Sequence, residues 1–200
     1  MRYDADHKAR TRERVLKAAC DTIRRDGLDA LGVAGVMKAA GLTHGGFYAH
    51  FASRDDLAAA AIGEMVEGVR RQVARHVDDL PPEEGLARYL DFYLSAAHRD
   101  AREHGCPLPV LAGDMPRMEP LSRERFKAAA TGLAARLQPL LEAMGHADAG
   151  ALAVSVVSEA VGALSLARAM GACAESDAIL ATSRAAIGRR IGLTVPETRQ

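Results

Sequence analysis

Apolar residues recur along this chain every three to four positions, the spacing that gives a helix one buried stripe. Val15, Ala18, Ala19 and Ile23 form such a stripe over about residues 7–26, and Gly27 stops it. A second, shorter helix is predicted over about residues 33–40, with Val33, Val36 and Met37 inward and Lys38 outward. Gly32 holds its cap position, where serine or threonine would bind the first turn more firmly. Gly41 suits the turn that follows, and Thr43 can cap a third short helix reaching Phe51. Within that helix Phe47 and Phe51 lie at i and i+4, an anchoring face, while Tyr48 and His50 project elsewhere as a contact face. Gly45 and Gly46 each cost about 1 kcal/mol against alanine in a helix, which implies close approach to another surface. A phosphodiester backbone is one candidate. The first three elements thus predict helix, turn, helix around a small core.

Beyond Phe51, Ser53-Arg54-Asp55-Asp56 reads as a cap that opens a long helix to about Asp79. Pro81-Pro82 breaks it, and Glu83-Glu84 opens a helix with the stripe Leu86, Leu90, Tyr93, Ala97, closed at Gly105. In Cys106-Pro107-Leu108-Pro109 the prolines suit a first turn, placing Cys106 at the cap of a short helix through Leu111 and Ala112. There a thiolate would feel the helix dipole, with Arg99, Arg102 and His104 near in sequence, and would be reactive. The alternative is a buried cysteine that fills space. A helix over about residues 119–144 contains Pro139 and is predicted to kink there. The last two helices, 149–170 and 177–191, form a hairpin. Val154, Val156, Val157, Val161, Leu164 and Leu166 leave the first with little polar face, and Ala160, Gly162, Ala163 and Ala167 permit close approach. Ile179, Leu180, Ser183, Ala186 and Ile187 match on the second. Apolarity on more than one side predicts a four-helix homodimer interface; a purely intramolecular core is the other solution.

Composition narrows the class. With 48% hydrophobic residues among 200, no tryptophan and only 4% aromatics, helix-on-helix packing is favoured over strands, and the fold is expected to be all-α. Twenty-six basic residues balance 26 acidic ones, which excludes indiscriminate coating of nucleic acid. The first 25 residues nevertheless hold eight basic against four acidic side chains, so the basic end is permissive for DNA. Three cysteines, Cys20, Cys106 and Cys173, are too scattered for a disulfide framework or a zinc site, and no metal or cofactor is expected. Without an uninterrupted run of 18 apolar residues or a signal peptide, the expectation is a cytoplasmic protein that does not engage membrane.

Thr11-Arg12-Glu13-Arg14-Val15-Leu16, Ala18-Ala19, Gly27, Ala39-Ala40-Gly41-Leu42-Thr43, Gly45-Gly46-Phe47-Tyr48-Ala49-His50-Phe51 and Ser53-Arg54-Asp55-Asp56-Leu57 together resemble the TetR family of transcriptional regulators. The resemblance covers about the first quarter of the chain. It implies a DNA-binding head over 1–52 and a ligand-binding, dimerising body over 53–200. It also implies a repressor released from palindromic double-stranded operator DNA by a small-molecule inducer. On that pattern Thr43, His44 and Gly45 begin the recognition helix, Tyr48 and His50 meet phosphates, and Arg54 stands where lysine is usual. Lys38 and Arg12 are further contacts. Gly32 and Gly46 depart from the pattern, where hydroxyl residues are common. The segment Gly105-Cys106-Pro107-Leu108 resembles one in a branch that includes a repressor responding to N-ethylmaleimide and related electrophiles, which makes Cys106 a candidate sensor. Tyr89, Phe92, Tyr93, His98, Met115, Met118 and Phe126 supply the groups that line small-molecule pockets, and they suit a plain core equally. A cysteine-dependent enzyme is the least favoured alternative, since Cys106 with His98 or His104 lacks an orienting third group. A dimeric helical scaffold without DNA binding is the other.

Overall fold

The computed structural model describes residues 2–193, with side chains from residue 6 onward; Arg2 and Asp4, counted in the basic end, lie outside the described side chains. Among the described residues the chain is helical without strands: α1 (Arg2–Asp26), α2 (Val33–Ala39), a 3-10 helix (His44–Ala49), α3 (Arg54–Val77), α4 (Pro82–Tyr93), α5 (Ala96–Asp100), α6 (Leu108–Leu111), α7 (Pro120–Ala143), α8 (Ala149–Met170) and α9 (Ala174–Arg190). Short 3-10 turns, Arg102–His104 and Met115–Arg117, flank α6.

The chain packs as two compact units. The first comprises Met1–Gly68 with Arg102–Ala128. Its core is the predicted one: Val15, Ala19, Ile23, Leu28, Val36, Phe47 and Phe51 are all buried. Ser53 and Asp56 begin α3 as a capping pair. The Asp56 amide donates to Ser53 Oγ at 3.1 Å, and the Asp56 carboxylate accepts from the Ala52 amide at 2.9 Å.

The second unit comprises Val69–Ala101 with Ala129–Gln200. Here α3 ends at Val77, short of the expected Asp79, because Asp79 turns left-handed with φ 62°. Gly85 lets α4 close on that end: a Cβ there would lie 3.1 Å from the Val77 Cα. The single helix expected from Glu83 to Gly105 is in fact two. Ser95 caps a new one, its Oγ accepting from the His98 amide at 3.0 Å, so the stripe stops at Tyr93 and Ala97 is exposed.

One face of α8 (Ala153, Val156, Ala160, Ala163, Leu164, Ala167) is buried, and α8 packs along α9. By length and a mean hydropathy of 1.7, α8 is long and apolar enough to cross a membrane, although polar residues interrupt its apolar run. Glu159, midway along it, is instead paired with Arg190 of α9 at 2.8 Å. A second face carries Ala151, Val154, Ser155, Ser158, Gly162, Leu166, Ala169 and Met170, all exposed in the protomer, with Val154 at 56% and Leu166 at 59%.

Candidate nucleic-acid interface

The turn between α2 and the 3-10 helix is a Schellman stop. The Leu42 amide donates to the Met37 carbonyl at 2.9 Å, the Gly41 amide to the Lys38 carbonyl at 3.0 Å, and Gly41 takes φ +70°. A further carbonyl at this helix end, that of Ala40, accepts from the Arg14 guanidinium. Arg14 therefore fixes the turn, a role the sequence did not reveal.

The recognition segment is a 3-10 helix, where an ordinary short helix was expected. Thr43 occupies its cap position with extended backbone, yet its hydroxyl makes no capping bond. Phe47 and Phe51 are 1% and 2% exposed, and their rings stack at 5.8 Å, so the segment is anchored from below as predicted. Above them Thr43, His44, Gly45 and Tyr48 are exposed, Tyr48 at 69%. An apolar anchor under four outward residues is what a surface for reading base edges requires.

His50 ends the segment, half-buried, and its Nδ1 is enclosed without a hydrogen-bond partner. Burial lowers its pKa, and the positive charges of Lys8, Arg12 and His7 lower it further. The basic end of α1 thus converges on the end of the recognition segment. Arg12 makes the tie explicit, its guanidinium carbon sitting 4.7 Å over the Phe51 ring. His7 and Lys8 escaped sequence reading because only the charge surplus, not their location, was visible. Lys38 is exposed on α2.

Arg54 is otherwise engaged. Its Nε donates to the Leu31 carbonyl at 2.8 Å and its Nη2 to the Leu28 carbonyl at 2.6 Å, with Asp55 at 3.8 Å. The side chain laces the α1–α2 turn to the start of α3, so any phosphate would share a guanidinium already in use.

The candidate ligand residues fall in both compact units. In the second, Tyr89, Phe92, Tyr93 and His98 do come together, and His76, unnoticed in the sequence, joins them. Phe92 stacks between His76 at 4.6 Å and His98 at 4.7 Å, and Tyr93 meets His98 edge-on at 5.0 Å. His98 Nδ1 donates to the Tyr93 carbonyl at 2.8 Å, which fixes the neutral tautomer. Burial pushes its pKa down to about 4, against the opposing pull of that hydrogen bond, and Arg168 adds to the depression. In the first unit Met115 and Cys106 are buried, Met118 and Phe126 half-buried. Cys106 is not the cap of α6. Pro107 is, its carbonyl accepting from the Val110 and Leu111 amides at 3.1 and 3.0 Å, and α6 spans only four residues. Cys106 is 6% exposed, so the expected dipole-activated position is not the one it occupies.

The sequence matches the family described as "Bacterial regulatory proteins, tetR family" over residues 15–61. No curated protein sequence matches it. The fold is similar to that of a TetR transcriptional regulator from Chloroflexus aurantiacus J-10-FL, at 25% identity and a TM-score of 0.81, covering 94% of this chain and 96% of that one. It is similar also to reduced E. coli NemR, at 17% identity and a TM-score of 0.80, over 94% and 99% of the two chains. A TetR-family regulator from Agrobacterium tumefaciens is similar at 23% identity and a TM-score of 0.78, over 90% and 98%. Residues 15–61 thus form a helix-turn-helix DNA-binding domain of the tetR family, carried on a chain whose fold is that of TetR-family transcriptional regulators over 94% of its length.

Proposed function

We propose that this protein is a homodimeric repressor whose two heads grip successive major grooves of a palindromic operator and are released by an effector acting on the helical body. The observation that carries the reading is the exposed quartet Thr43, His44, Gly45 and Tyr48 held over the buried Phe47–Phe51 pair. His44 reads base edges, Tyr48 and His50 meet phosphates, and Lys38 and Arg12 add charge around them. By role, residues 1–52 are the DNA-binding segment and 53–200 the body, with residues 53–68 and 102–128 of that body packed in the same compact unit as the head. Two identical heads require a spacing of about one DNA turn, roughly 34–36 Å.

The open face of α8 supports the dimer. Ala151, Ser155, Ser158, Gly162 and Ala169 make a seam of small side chains flanked by Val154, Leu166 and Met170, and Ala178, Ala181 and Thr182 are exposed along α9. An apolar face of this kind is covered in solution by its own symmetry mate.

Release of the operator requires a second state favoured by the effector, and each 1.4 kcal/mol of preference is about tenfold in DNA affinity. The ring cluster of Tyr89, Phe92, Tyr93 and His98 is one place for a planar inducer, and Met115, Met118 and Phe126 are apolar candidates elsewhere. Cys106 is the place for an electrophile. Its burial means that the thiol reacts only when its segment opens, so modification is slow and, once made, holds the segment out of place.

The test uses duplexes selected by the wild-type protein from a random pool. Affinity is measured at several salt concentrations, before and after N-ethylmaleimide, for wild type and Cys106→Ser. Selective, salt-dependent binding lost on alkylation in wild type alone supports the full reading. Equal affinity for selected and random duplexes overturns DNA regulation. Unchanged binding after complete alkylation of Cys106 removes the electrophile and leaves a reversible ligand.

A further inference from the structure

We infer that Asp114 is a positioning residue which passes the placement of the segment 102–117 directly into the helix-turn-helix, through the turn between α1 and α2. The inference rests on the proposed role of that turn's helices in DNA binding and adds a route of control. All of the contacts lie within the first compact unit.

Leu28, 1% exposed, has its amide and its carbonyl each bound by a side chain distant in sequence, the carbonyl accepting also from the nearby Leu31 amide at 3.0 Å. Its amide donates to Asp114 Oδ2 at 3.3 Å, and its carbonyl accepts from Arg54 at 2.6 Å. The other carboxylate oxygen of Asp114 accepts from Arg117 at 3.0 Å, which orients the group. Eleven residues earlier the same segment touches the last turn of α1. The Glu103 carbonyl accepts from Arg24 at 3.4 Å, and its carboxylate pairs with Arg25 at 3.3 Å. Between these two attachments Cys106, Leu108 and Leu111 are buried at 6%, 2% and 1% exposure. A close-packed segment fixed at both ends cannot make room for added bulk in its middle without moving its ends. One end is the acceptor for Leu28. A change of volume at Cys106 is therefore felt at the α1–α2 turn, and Arg54 carries it on to the start of α3.

A double-mutant cycle tests this, with Cys106→Phe supplying the bulk so that thiol reactivity plays no part. Affinity for the selected duplex is measured for wild type, Cys106→Phe, Asp114→Ala and the double variant, with exchange of the Leu28 amide followed in each. Cys106→Phe is expected to weaken DNA binding at least tenfold and to speed Leu28 exchange. The double variant should bind within threefold of the weaker single variant, and Asp114→Asn, which keeps an acceptor for the Leu28 amide, should restore wild-type coupling. Losses that simply multiply, or a folded Cys106→Phe protein that binds DNA normally, overturn the inference. If Cys106→Phe does not fold, Cys106→Leu takes its place under the same criteria. Failure of the electrophile reading leaves this cycle untouched. Failure of the cycle in a protein still released by N-ethylmaleimide leaves that reading standing and removes only Asp114.

Discussion

His98 makes the stability of this protein depend on pH in a calculable way. The ring is 3% exposed, stacked on Phe92, and its neutral form donates to the Tyr93 carbonyl; burial places its folded pKa at about 4. In the unfolded chain a histidine titrates near 6.5. Below that value the unfolded state binds a proton that the folded state refuses, so stability falls as pH drops from about 6.5 towards 4 and levels off below, where both states are protonated. The full span is about 3 kcal/mol, of which about 2 kcal/mol is lost between pH 7 and pH 5. Burial also lowers the pKa of His76 and of His50, so they contribute in the same direction. A His98→Phe variant retains those two and preserves an aromatic ring against Phe92. Urea unfolding at fixed protomer concentration, at pH 7 and pH 5, isolates His98 as the difference between the two proteins' losses. The variant should be less stable at pH 7, having lost a hydrogen bond, but should lose about 2 kcal/mol less on acidification. Equal losses in both proteins, or a His98 ring titrating near 6.5 by NMR in the folded state, would refute the reasoning.

Other outcomes follow from the head and the seam. Arg54→Lys keeps the charge but cannot span the Leu28 and Leu31 carbonyls, and it should cost about 1 kcal/mol in thermal or urea unfolding after allowance for its partial exposure. His44→Ala should change which duplexes are selected from a random pool, whereas Lys38→Ala should weaken all duplexes alike and flatten the salt dependence; identical behaviour would contradict the assigned roles. Leu166→Glu places a carboxylate on the open face of α8 and should raise the dimer dissociation constant about tenfold or more in sedimentation, with little change in helicity.

The head was legible because its signals are local. Phe47 and Phe51 at i and i+4, Gly41 after α2 and the Ser53–Asp56 pair each dictate a conformation within a few residues, and the structure has all three. The errors arose where side chains act over long separations. Arg54 reads as a phosphate contact and Arg14 only as part of the basic end, yet both satisfy carbonyls 23 to 26 positions away. Nothing in the spacing of Asp114 announces that it binds Leu28, 86 residues before it. The break at Ser95 is hidden by an apolar stripe that runs on from Tyr93 to Ala97, although serine is a preferred cap. At Cys106 the expectation placed the cap one residue early, since a helix can start at Pro107, with proline in its favoured first position, as readily as at Leu108. Only the fold shows which carbonyl the first amides choose.

Gly45 has nothing within 4 Å of where a Cβ would sit, and Gly46 only the Met37 Cε at 3.6 Å. Neither adopts positive φ among the described residues. The protein's own packing thus gives no reason for glycine at Gly45, and His44 is exposed beside it, whereas the Tyr48 ring meets that of Phe47 edge-on at 5.2 Å. On the proposed reading of DNA by this segment, its outward positions are interchangeable letters mounted on a fixed type block, Phe47 and Phe51. Substitutions there can alter the DNA word being read while folding remains indifferent, so a duplicated copy of such a chain could acquire a new operator by few changes and without first becoming unstable.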